Sequence, residues 1–183
     1  MNREQALDIL HEYTKTEPLR RHAYSVEAVM RAAARKYGGD EETWGIVGLL
    51  HDFDYEMFPD QHPMAGKPIL EARGVPEEII YAIQCHADFT GYERRSLMDK
   101  MIYAVDELTG FVIACALVQP NKSLSELKTS SVRKKLKDKA FARNVNRDDI
   151  WKGIAELGVD FDEHVQFVID ALKPVAGQIG LNP

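Results

Sequence analysis

Cysteine is nearly missing: the 183 residues hold only Cys85 and Cys115, with no Cys-x-x-Cys spacing, which excludes a disulfide framework and a thiolate zinc site. Both are expected in the core as small apolar residues. Long apolar runs are missing too. The longest, Phe111 to Val118, is 8 residues, where a bilayer-spanning helix needs roughly 18 or more. Met1-Asn2-Arg3-Glu4 opens no signal-peptide hydrophobic region. A soluble, cytoplasmic protein with no membrane partner is expected. Excess positive charge is absent, because 23 Lys and Arg face 29 Asp and Glu for a net charge of -6, which argues against general nucleic-acid binding. The deficit is uneven, however. Residues 121 to 147 carry nine Lys or Arg against Glu126 and Asp138, a local +7 that leaves -13 elsewhere. A local anion-attracting face is the physical consequence.

Strand-like alternation and Asn-Gly turns are also lacking, whereas apolar residues recur every three or four positions nearly throughout. The pattern predicts an all-α fold. A first helix covers Arg3 to Tyr13. A second follows Thr16, a candidate N-cap with Pro18 in the first turn, and ends at Gly38-Gly39. Asp40 caps a third, reaching about Phe53. A fourth opens at His62-Pro63 and ends near Gly74; a fifth runs from Pro76 to His86; a sixth spans about Ser96 to Val118, stopped by Pro120. Three more follow: a basic one after Thr129, one from Asn146 to Leu157, and one from Asp160 to Lys173. With no repeat or linker visible, residues 1–183 are read as one domain, with a core over about 17–118 and a helical extension over about 121–180.

Ionisable residues on faces that the helical period assigns to the core carry the functional signal. Leu19, His22, Val26, Val29 and Ala33 share one stripe of the second helix, and Trp44, Val47, Gly48 and His51 share one of the third, with Asp52 about 100° further round. Ile79, Ala82, Ile83 and His86 align on the fifth; Ile102, Asp106, Thr109 and Ile113 align on the sixth. His62 sits in the connection that can join them. Two carboxylates and several imidazoles are not buried cheaply without a cation, and no Lys or Arg lies on those stripes as an obvious counter-ion. A divalent ion takes both ligand types together. His11 and His164 lack such company and are expected at the surface or in packing.

The ordered set resembles the HD superfamily of metal-dependent phosphohydrolases. His22 in Arg-Arg-His-Ala-Tyr-Ser-Val, His51-Asp52 in Gly-Leu-Leu-His-Asp-Phe-Asp-Tyr-Glu, and Asp106 in Tyr-Ala-Val-Asp-Glu-Leu-Thr-Gly carry the likeness. It implies an all-α HD-domain bundle. It also places His62, in His-Pro-Met-Ala-Gly, and His86 where members with two metals carry additional histidines. The sequence departs at Ala87, where some two-metal branches have a second consecutive His, and at Tyr55, which takes the Lys place of the frequent HDIGK form.

The resemblance implies one or two divalent ions (Mn, Fe, Mg, Co, Ni or Zn) held by His22, His51, Asp52, His62, His86 and Asp106. A phosphate ester or nucleotide, a small phosphorylated substrate, would be hydrolysed by metal-activated water. Asp52 is a candidate bridge, and Asp54 or Glu56 candidate proton relays. Arg133, Lys134, Lys135, Lys137 and Lys139 are candidate phosphate-binding residues; a solvated helix face is the competing reading for them. Two other functions stay open: an HD-fold di-iron oxygenase acting on a small polar substrate, and a non-catalytic metal-binding module. Nothing in the sequence sets the oligomeric state.

Overall fold

The computed structural model describes residues 1–183 as nine α-helices with no strand. The chain falls into two compact units, Met1–Tyr103 and Ala104–Pro183. No helix is long and apolar enough to cross a membrane.

The first unit holds α1 (Arg3–Tyr13), α2 (Glu17–Tyr37), α3 (Glu41–Leu50), α4 (Gly66–Ala72), α5 (Glu77–Gln84) and the first residues of α6 (Leu97–Leu117). Local chemistry sets their starts. Asn2 and Gln5 form a reciprocal capping box on α1, and Asp40 caps α3 through the Thr43 amide at 2.7 Å. Thr16 makes no cap with its own side chain. Glu56, in the turns after α3, ties down the chain that enters the helix, its Oε2 accepting from the amides of Lys15 and Thr16 at 2.9 and 3.1 Å and from the Thr16 hydroxyl at 3.1 Å. Gly38, at φ 75°, ends α2 in the left-handed conformation.

Helices α2 and α3 make the most extensive packing in this unit, with Val26, Val29, Met30, Ala33, Ile46, Val47 and Leu50 all buried. Gly48 sets their separation. A Cβ there would stand 2.7 Å from the Val26 carbonyl oxygen and 2.9 Å from the Glu27 Cα, so the two backbones touch where other residues would hold them apart.

The fourth helix starts later than the sequence pattern predicts, at Gly66 instead of His62-Pro63, and residues 51–65 form a series of turns. Tertiary hydrogen bonds hold this segment. Asp54 accepts from the Gly66 amide at 2.7 Å, and the buried Gln84 donates from Nε2 to the Pro63 carbonyl at 2.9 Å. Neither bond has a local signature.

The second unit holds the rest of α6, with α7 (Thr129–Leu136), α8 (Arg147–Leu157) and α9 (Phe161–Leu172). Asn146 and Asp160 cap α8 and α9 through amides two or three residues on. A closing 3₁₀ segment, Lys173–Ile179, goes beyond the predicted helices. Residues 122–124 then pair with Asn182 near the C-terminus. His164 is a packing residue: it is buried and its Nε2–H donates to the Ala104 carbonyl at 2.9 Å. Both cysteines are buried, and burial pushes their thiols up to about 12.

Candidate metal centre

His51 follows the last helical residue of α3 but keeps helical dihedrals, φ -57° and ψ -34°, so its ring stays on the face of Val47 and Gly48. Its Nδ1 lies 2.7 Å from the Gly48 carbonyl. His86 repeats the device after α5, with Nδ1 2.6 Å from the Ile83 carbonyl. A carbonyl only accepts, so in each ring Nδ1 carries the proton and Nε2 presents its lone pair. His62 is held by a carboxylate instead, its Nδ1 2.6 Å from Asp54 Oδ1. Asp54 is itself buried and anchored by the Gly66 amide.

Those Nε2 atoms converge on Asp52. Its Oδ2 lies 3.4 Å from His51 Nε2 and 3.6 Å from His22 Nε2; its Oδ1 lies 3.1 Å from His62 Nε2 and 3.3 Å from His86 Nε2. Within each pair the nitrogens are close, 3.2 Å for His22 with His51 and 3.0 Å for His62 with His86. Lone pairs aimed at one another and at a carboxylate repel unless a positive charge lies among them. Ligand atoms bound to one first-row ion at about 2.1 Å stand about 3.0–3.4 Å apart. The donor set therefore fits an ion at each end of Asp52, and imidazole with carboxylate suits first-row divalent metals. Asp52, His62 and His86 form one group with ligand atoms within 4.8 Å of one another, and His22, His51 and Asp52 belong to another.

Electrostatics agree with this reading. Burial pushes the Asp52 carboxyl up, but the imidazoles of His51, His62 and His86 packed against it, His51 first, overcome burial and hold the group well below the usual carboxylate range. Burial pulls His62 down, yet hydrogen bonds to Asp52 and Asp54 raise it to about 9. A proton thus occupies His62 where no metal does, and metal binding must displace it. The side chains of His22 and Asp52 keep 22% and 23% of their exposure while that of His51 keeps none, so the centre opens on the edge marked by His22 and Asp52.

Asp106 lies half-buried on α6, three residues beyond Tyr103 on that continuous helix. The candidate proton relays have other work. Asp54 is buried, and its two oxygens hold His62 and the Gly66 amide. Glu56 is committed to the start of α2, where the Thr16 amide above all lowers its carboxyl. Arg133 lies over the Phe161 ring and pairs with Asp162 at 3.0 Å, and Lys135 lies over the Phe141 ring. Lys134, Lys137 and Lys139 are exposed. Reading by helical period placed Gly48 on the inward stripe but missed its close contact with α2, and it missed the role of Asp54.

Asp54→Asn keeps the shape but weakens the acceptor behind His62. Its affinity for an ion at the His62 and His86 end should fall about 10–100-fold, measured by titration calorimetry of the metal-stripped protein; unchanged affinity would deny Asp54 this orienting role.

Residues 19–110 match the HD domain family, a span that contains His22, His51, Asp52, His62, His86 and Asp106. The chain belongs to this family. HD domains bind divalent metals, and the cluster around Asp52 supplies groups able to hold one. This HD domain is also similar to Ribonuclease Y of Desulfotalea psychrophila, 30% identical over 93 residues that make up 49% of this chain and 17% of that protein. The likeness thus spans less than a fifth of the relative. No solved structure matches the chain.

Proposed function

We propose that this HD protein is a metal-dependent phosphohydrolase with two ions joined by Asp52, acting on a small phosphate ester or nucleotide. The observation that carries the proposal is the Asp52 carboxylate, with one oxygen toward His22 and His51 and the other toward His62 and His86. Asp106 is proposed as a further metal ligand, supported by the ordered signature and by a family match that runs to residue 110.

When bound, such ions acidify water and polarise a phosphoryl oxygen. The chain's own residues prepare the place. His51 and His86, locked by the carbonyls of Gly48 and Ile83, hold Nε2 lone pairs outward, and Asp54 fixes His62. The partial exposure of Asp52 and His22 leaves a side for substrate, which a purely structural ion would not require. The exposed lysines 134, 137 and 139 are proposed to gather anionic substrate by charge. The relative's name, a ribonuclease, adds phosphodiesters to the substrate classes worth testing.

Metal content should reach two ions per chain, and chelation should abolish hydrolysis and lower Tm, since a ligand at 100 times its Kd stabilises by about 2.7 kcal/mol. The measurement is metal analysis followed by assay on phosphomonoesters, cyclic nucleotides, nucleoside triphosphates and a short oligoribonucleotide. Absence of turnover on every class, or oxygen-dependent turnover by a di-iron form, would overturn the hydrolase.

A further inference from the structure

The helix that aims His86 stops too early to aim it: α5 ends at Gln84, and the imidazole sits two residues further on, in a turn. The turn is gripped from outside by Arg94. This side chain, in the loop before α6, keeps only 8% of its exposure. Its Nη1 donates to the Cys85 carbonyl at 3.0 Å and its Nη2 to Asp88 Oδ1 at 2.7 Å, contacts that bracket His86 on either side. The guanidinium lies 3.7 Å from the centre of the Tyr103 ring, and the Tyr103 hydroxyl donates to the other oxygen of Asp88 at 3.2 Å. Cation, carboxylate and phenol therefore close a triangle around the turn.

We infer that Arg94 is the positioning residue for the second ion, fixing the turn so that His86 Nε2 stays within reach of Asp52 and His62. The inference rests on the two-ion reading. A planar fork suits the task, because it donates in two directions while lying flat on an aromatic ring. Lysine keeps the charge and the stem but cannot make both bonds from that plane.

The test compares Arg94→Ala and Arg94→Lys with wild type and with Arg95→Ala, whose side chain is 70% exposed. Each chain is stripped of metal and titrated with Mn²⁺, followed by calorimetry and electron paramagnetic resonance. Wild type and Arg95→Ala should take up two ions and give the spectrum of a coupled pair. Both Arg94 variants should hold the first ion normally, bind the second about 10–100-fold more weakly, and give the six-line spectrum of an isolated ion. If the alanine variant does not fold, the lysine variant carries the comparison. Two ions at wild-type affinity in Arg94→Lys, or equal weakening of both, would overturn the inference. A wild-type chain that binds one ion only would remove the two-ion reading first, and this inference with it.

Discussion

Asp52→Asn should leave purification with neither ion bound and with hydrolysis at background, while the chain stays folded. Asp52 is within 3.1–3.6 Å of all four imidazoles, so both ends of the centre share its charge. Replacing it removes the anion that offsets two divalent charges. The fold survives because the new amide donates toward lone pairs that the carboxylate could not satisfy. His86→Ala gives the contrast: one ion should remain, since His22, His51 and Asp52 are untouched. Metal analysis and thermal unfolding of both variants check this. An Asp52→Asn chain that keeps one ion at wild-type affinity would show that the two ends do not depend on a common carboxylate.

Gly48→Ala should be the most damaging single methyl group in the first unit. The added carbon would meet backbone at 2.7–2.9 Å, the Val26 oxygen and the Glu27 nitrogen and Cα, none of which can swing aside as a flexible side chain can. Helices α2 and α3 must separate, at a cost of about 1–3 kcal/mol, and for a unit of about 100 residues each kcal/mol shifts Tm by about 4–8 °C. The separation also opens the 3.2 Å gap between His22 and His51, which those helices carry, so metal affinity should fall together with Tm. Gly110→Ala is the control. It lies inside α6 with nothing within 4 Å of an added Cβ, and should raise stability by about 0.4–1 kcal/mol. Unfolding scans with and without Mn²⁺ separate the two effects; an unchanged Tm in Gly48→Ala would refute the close-contact account.

The faces that carry His22, His51 and His86 were legible because helical period is a local property. His22, His51 and His86 each fall on a stripe of aliphatic residues, and the chain keeps helical dihedrals through His51, so the face read from spacing is the face observed. The cap at Asp40 was legible for the same reason: it acts on an amide three residues away. Thr16 shows the limit. Its place before Pro18 marks the start of α2, but the oxygen that holds its amide and hydroxyl belongs to Glu56, forty residues on.

The sequence by itself therefore determined the helical class, most helix boundaries and the faces that carry His22, His51 and His86, since each depends on neighbours a few residues apart. Tertiary structure alone decided that Asp52 stands between two histidine pairs, that Asp54 and Glu56 are bound to other tasks, that residues 62–65 turn instead of starting a helix, and that Arg94 grips the His86 turn. Those outcomes depend on which distant groups satisfy one another's charge and hydrogen-bonding capacity once buried, and no spacing along the chain encodes that choice.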